Sequence, residues 1–260
     1  MQLTPDGNPD RPGSLSNIGT LLETRYTSFG ELADIQKALI NHERAVQLTP
    51  DEHPEKPVRL NNLGNALGKR FKRCGELVDL ESAISCQEKA VRLTPEGHPN
   101  KPRYLARLGI SLETRFHRIG KLADLEKAIS IQEHAVELTQ DGHPDKASRL
   151  GGLGLSLYAR FDHLRELEDV EKAIKFQELA LQLTPDGHPE KPRCFSVLGN
   201  SLWSRFNRRG ELADLESAIR NQELGVNLTP DGDPGKPTRL NDLGTSLHIR
   251  FERLGDLADV

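Results

Sequence analysis

The chain has little cysteine: Cys74, Cys86 and Cys194 are the only three among 260 residues. They are odd in number, scattered, and never spaced Cys-x-x-Cys, which excludes a disulfide framework and a thiolate zinc site. They read as reduced thiols. An excess of positive charge is also missing, since 35 Lys and Arg stand against 39 Asp and Glu, a formal net charge of -4. Nucleic acid and anionic membrane surfaces demand a basic face, so neither is expected as a partner. No apolar run approaches the roughly 20 residues that span a bilayer. The opening residues have the form of neither a signal nor a transit peptide, and a cytoplasmic location is the default expectation. Gly-rich phosphate loops, nucleophile elbows and His-Glu-x-x-His spacings are all lacking, so no enzymatic activity, cofactor or metal is expected.

What the chain does have is an undrifting period of 45 residues. Leu-Thr recurs at Leu3, Leu48, Leu93, Leu138, Leu183 and Leu228. Glycine recurs at Gly19, Gly64, Gly109, Gly154, Gly199 and Gly244, and arginine at Arg25, Arg70, Arg115, Arg160, Arg205 and Arg250. Each of these arginines is followed by an aromatic residue, Tyr26 in the first repeat and phenylalanine in the rest. A period of this length marks a solenoid, propeller or array. The modest apolar fraction, 35%, suits an elongated stack in which each unit buries only the faces toward its neighbours.

The local pattern within one period is helical. Leu60, Leu63, Gly64, Leu67 and Phe71 fall at i, i+3, i+4, i+7 and i+11, one stripe of a 3.6-residue helix. Gly75 interrupts, and Leu77, Leu80, Ala83, Ile84, Gln87, Ala90 and Val91 make a second stripe. Leu93-Thr94-Pro95 stops that helix, because proline lacks the N–H and forces its predecessor out of the α region. Pro57 and Pro102 stand just before the next first helix, where a fixed φ aids initiation. First helices are predicted near 58–73, 103–118, 148–163 and 193–208. Second helices are predicted near 76–93, 121–138, 166–183 and 211–228.

Leu60-x2-Leu63-Gly64-x2-Leu67…Ala83…Ala90…Pro95 resembles the tetratricopeptide repeat (TPR), and the resemblance covers essentially the whole chain. It implies an all-α, right-handed superhelical solenoid of antiparallel helix pairs over residues 1–260, with five full repeats and part of a sixth. The extra length over the family's repeat divides between the turn within a pair and the loop between pairs. The Leu-Thr-Pro-Asp-Gly-His-Pro and Gly-Glu-Leu-x-Asp-Leu phrases look like those of long-unit arrays in large fungal proteins, often accompanied by a caspase-like CHAT domain. His42, Gln87, Gln132, Gln177 and Gln222 stand where the family has an aromatic, which leaves the rotation of the second helix open. The chain begins and stops in mid-repeat, so it reads as a fragment of a longer array or a truncated gene model. End-to-end self-association is an accompanying expectation.

The resemblance implies a concave groove lined by first-helix residues: Ser16, Thr20 and Glu23; Asn61, Asn65 and Gly68; Ala106, Ile110 and Glu113. The next three repeats supply Gly151, Leu155 and Tyr158; Ser196, Asn200 and Trp203; and Asn241, Thr245 and His248. These change from repeat to repeat while the framework hardly varies, as a recognition surface on a fixed scaffold would, although exposed surface drifts in the same way. Tyr158, Trp203 and His248 form a candidate ladder of anchors; the alternative is that these rings turn onto a neighbouring repeat. Arg103 and Arg107, with Asn65, partly resemble the carboxylate clamp of chaperone-binding members, but Ser16 stands in place of the clamp's first-repeat lysine. Asp34, Asp79, Asp124, Asp169, Asp214 and Asp259 follow each recurring arginine by nine residues, which predicts a structural ion pair across the turn. The looped His53, His98, His143 and His188 read as turn chemistry. The function this implies is a non-catalytic scaffold that binds a peptide or protein in its groove. A sensor or autoinhibitory arm of a CHAT-type protease, and a structural spacer or self-associating array, are the alternatives.

Overall fold

The computed structural model describes residues 10–255, and the chain divides into two compact units, Met1–Leu138 and Thr139–Val260. In the first lie α1 (Arg11–Phe29), α2 (Leu32–Gln47), α3 (Lys56–Cys74), α4 (Leu77–Leu93), α5 (Lys101–Ile119) and α6 (Leu122–Glu137). The second holds α7 (Lys146–Leu164), α8 (Leu167–Leu183), α9 (Lys191–Arg209), α10 (Leu212–Asn227) and α11 (Lys236–Leu254). The architecture is all-α, with successive helices in antiparallel pairs at the 45-residue period. In unit 1, α2 also packs on α3 and α4 on α5; in unit 2, α8 packs on α9 and α10 on α11.

Core layers form between repeats as well as within them. Ile35 and Leu39 of the first repeat pack with Leu63 and Leu67 of the second. Phe71, Leu80 and Ile84 of the second pack with Leu108 and Leu112 of the third. In unit 2, Phe161, Val170 and Ile174 meet Leu198 and Leu202 in the same way. Within each unit a pair therefore completes its apolar burial on its neighbour, the condition that makes a repeat unit cooperative with the next.

First helices begin two residues before the expected start. Pro57 and Pro102 lie inside the first turn, not ahead of it, where a missing N–H costs nothing because those donors have no helical acceptor. The preceding lysine gains a role by this shift. Lys56 Nζ donates to the carbonyls of Val46 (2.9 Å) and Thr49 (2.6 Å) at the end of α2. Lys101 repeats this on Val91 and Thr94, and Lys191 on Leu181 and Thr184. An ammonium satisfies carbonyls that a helix C-terminus leaves open. The Leu-Thr-Pro…His-Pro-x-Lys phrase is thus a staple between consecutive pairs. Its histidines are turn residues as expected: Nδ1 of His53, His98, His143 and His188 accepts the backbone N–H two residues on, at 3.1–3.2 Å. In the next repeat Asp233 Oδ1 accepts from Gly235 instead.

The glutamines that left the second helix's rotation open mark its closest approach to the first. A Cβ added at Gly64 would lie 2.9 Å from Gln87 Cγ; at Gly109, Gly154 and Gly199 the distances to Gln132, Gln177 and Gln222 are 2.6, 2.8 and 2.7 Å. The backbones approach closely there, and in the first repeat the imidazole of His42 lies 2.6 Å from a Cβ added at Gly19 in the same way.

Turns within pairs close on a left-handed residue, Gly75 at φ 78° for example, whose N–H returns to Phe71 O. In the fourth repeat Arg165 takes that place at φ 61°, the one non-glycine residue with positive φ among those described. Its Cβ crowds the neighbouring carbonyl, at about 1–2 kcal/mol. Arg165→Gly is expected to raise stability by about 1 kcal/mol in urea unfolding; an unchanged or lowered midpoint would show that the contacts Arg165 makes with Asp162 and Phe161 offset the strain. Gln140 and Ala147, which replace prolines in the flanking loop, do not alter helix bounds: α6 still ends at Glu137 and α7 still starts at Lys146.

Candidate functional site

Five arginine–aspartate pairs fix the framework around the candidate residues. Nε of Arg70, Arg115, Arg160 and Arg205 donates to Oδ2 of Asp79, Asp124, Asp169 and Asp214 at 2.7–2.8 Å. In each, Nη2 takes the other carboxylate oxygen, and Arg25 grips Asp34 alike. The bidentate fork ties the end of each first helix to the start of its partner. Asp259 lies outside the described residues; Arg250 reaches Glu216 at 3.2 Å.

Three positions expected in the groove are buried instead. Ser16, Asn61 and Ser196 lie at 8%, 0% and 9% exposure. Ser196 faces the second helix of its own pair, where a Cβ on Gly225 would come 2.5 Å from its Oγ, whereas Ser16 Oγ accepts from Asn62 Nδ2 of α3 at 3.4 Å. Asn61 has both amide atoms without a hydrogen-bond partner. Glu23 is buried as well, held by His42 Nε2 and Lys69 Nζ, each at 2.8 Å.

In unit 1 the structure gathers Asn65, Arg107 and Ile110 on one cavity of about 240 Å³, together with Gly68, Lys69, Lys72, Gln87 and Thr114. Ile110 is 42% exposed. Asn65, Lys72 and Arg107 have no hydrogen-bond or ion-pair partner among the described residues. Arg103 lies one turn earlier on α5, exposed and outside the cavity lining. In unit 2 the candidates contact one another. Tyr158 OH shares a hydrogen bond of 2.9 Å with Ser204 Oγ. Trp203 is half-buried, packs against the core clusters built around Phe161 and Leu202 and around Phe206 and Leu215, and keeps Nε1 buried without a partner. Asn200 accepts from Gln222 and donates to Asp242, at 3.0 and 2.8 Å. Leu155 is half-buried, while His248 is exposed beside Glu252 at 3.3 Å.

Nothing in the sequence pattern points to Lys69, Lys72 or Thr114, and Gln87 stands out only as a departure from the family's aromatic. The available signal was Gly68, standing where the other repeats carry Glu23, Glu113, Tyr158, Trp203 and His248.

Electrostatics of the fold bear on acid stability. Burial pushes the Glu23 carboxyl up, but the bonds from His42 and Lys69 outweigh it and hold it below the usual range. The Arg25 guanidinium lowers Asp34; Lys89 and Lys56 lower Asp51, Lys101 lowers Glu96 and Lys236 lowers Asp231. Groups depressed on folding stabilise above their unfolded values, about 4, and lose that contribution as pH falls through the folded ones. The melting temperature is therefore expected to hold level down to about pH 5 and to fall below about pH 4. Thermal melts followed by circular dichroism test this; a decline already complete near pH 6 would assign acid sensitivity to the histidines.

No group of His, Cys, Asp or Glu among the described residues is arranged to hold a metal ion. No described helix is long and apolar enough to cross a membrane. The sequence matches no known family profile and no curated protein. Its fold, however, is that of solved TPR-like arrays. It is similar to the nearly identical TPR-like repeats of a protein assigned as a kinesin light chain from Podospora anserina, at 17% identity and TM-score 0.58, covering 81% of this chain and 96% of that one. A thermophilic TPR protein of Thermus thermophilus aligns at 18% identity and TM-score 0.57, over 89% and 98%. YrrB, a TPR protein with an unusual peptide-binding site, aligns at 18% identity and TM-score 0.54, over 85% and 92%. The chain thus has the fold of a TPR-like helical repeat array.

Proposed function

We propose that the chain is a non-catalytic binding module that takes a peptide segment of another protein along the exposed face of its first helices. The observation that carries this reading is the convergence in unit 1 of Asn65, Arg107 and Ile110 on one cavity, with the two polar groups unpartnered inside the fold. A framework that pairs its recurring arginines bidentately leaves Arg107 free. Free donors beside exposed apolar surface are what a polar, partly hydrophobic peptide requires. Arg103 extends that face. Leu155, Tyr158, Asn200, Trp203 and His248 are its proposed counterpart in unit 2, where the rings also support packing. YrrB is a peptide-binding protein of the same fold, which is consistent with the reading.

Peptides selected by display on the full chain test it. Arg107→Glu should weaken a selected peptide by about tenfold or more, as losing a charge-paired interface contact does, with an unchanged melting temperature. Equal affinity for the wild type and Arg107→Glu would remove this face from the function.

A further inference from the structure

The cavity in unit 1 exists because one side chain is missing. At the position that faces the following repeat, the first repeat carries Glu23, whose carboxylate bonds His42 of its own second helix and Lys69 of the next first helix. Unit 2 follows the same geometry where Tyr158 reaches Ser204. Lys69 and Ser204 each lie 46 residues ahead of the side chain they meet. The second repeat has Gly68 instead, and a Cβ built there meets nothing within 4 Å.

The partners such a side chain would have are in place. Gln87, equivalent to His42, lines the cavity at 3% exposure with Oε1 lacking any hydrogen-bond partner. Thr114, equivalent to Lys69, lines it too, but its hydroxyl proton is already given to Ile110 O at 2.7 Å, so the donors for a carboxylate are the cations beside it. Lys72 and Arg107 stand at the same cavity without partners. Glu23 also borders it, but its charge is already met by His42 and Lys69. At about 240 Å³ the space is smaller than the ~300–1,000 Å³ typical of small-molecule sites and suits one inserted side chain.

We infer that the hole left by Gly68 receives an acidic side chain, aspartate or glutamate, from the bound segment, so that the partner supplies in trans the carboxylate that Glu23 supplies in cis one repeat earlier. The Gln87 amide turns its Nε2 to that carboxylate, since its two ends are interchangeable by rotation. Lys72 and Arg107 neutralise it, and a charge-assisted bond in a half-enclosed site is worth more than one at an open surface. This inference rests on the reading of the first-helix face as a peptide-binding surface.

Gly68→Glu tests it, because the new side chain enters open space and fills the hole from within. Peptides enriched by display on the wild-type chain should carry an acidic residue. Their affinity should fall about tenfold or more both on Gly68→Glu and on replacing that acid by its amide, while Gly68→Glu keeps or raises the melting temperature. Enriched peptides that lack an acid, or that bind Gly68→Glu as well as wild type, would overturn the hole and leave the peptide-binding reading standing. N-acetylglutamate is the second probe, followed by NMR on the Gln87 side-chain amide. A saturable shift in wild type that is absent in Gly68→Glu supports the site even where no peptide enriches; no shift in either overturns it.

Discussion

Replacing Arg70 by methionine is expected to cost about 3 kcal/mol, the lower end of what breaking a buried ion pair costs, whereas Asp79→Asn should cost about 1–2 kcal/mol. The asymmetry follows from exposure: the Asp79 side chain is 4% exposed and that of Arg70 32%. Removing the arginine strands a carboxylate that water barely reaches. Removing the charge on the aspartate leaves a guanidinium that solvent can hydrate, and the new amide still accepts one bond. Urea unfolding of both variants checks the order. Equal losses below about 0.5 kcal/mol would class the pair with surface salt bridges, and the recurring arginine would then have no structural account.

Two glycines on α7, two residues apart, should respond to alanine with opposite signs. Gly154→Ala places a methyl 2.8 Å from Gln177 Cγ and 3.2 Å from the Ala173 carbonyl. The amide can shift, but the backbone oxygen belongs to a packed helix, so a net loss of about 1–3 kcal/mol is expected from overpacking. Gly152→Ala meets nothing within 4 Å and should gain about 1 kcal/mol from helix propensity alone. Thermal or urea unfolding reads both. A stabilising Gly154→Ala would mean that the recurring glycine does not set the distance between the two helices of a pair.

The fold was legible in the sequence because its determinants repeat. Leu60, Leu63, Leu67 and Phe71 recur in register, so each helix pair confirms the next, and the nine-residue step from Arg70 to Asp79 announced the ion pair. The sequence places helix starts two residues late because Pro57 has the form of a boundary; only the geometry shows Lys56 reaching back to Val46 and Thr49. The site was harder to read. A groove-facing residue and one at the seam of its own pair are a single turn apart, and small rotations decide between them. Asn61 has groove spacing yet is fully buried, while Asn65, one turn later, reaches the cavity. Lys72 carries no periodic signal, and Gln87 reads as framework. Gly68 was legible only as an omission, meaningful once Glu23 and Tyr158 are seen to reach the repeat ahead.

Photo-crosslinking tests the binding role most directly. A benzophenone amino acid at position 110 lies on the proposed face; at position 40 it lies on α2, where Ile40 is the more accessible of the two, at 65% exposure against 42%. With an acidic peptide selected on the chain, position 110 should yield the covalent adduct and position 40 should not, and excess unlabelled peptide should abolish it. Adducts of equal yield from both positions, or from position 40 alone, would contradict the account.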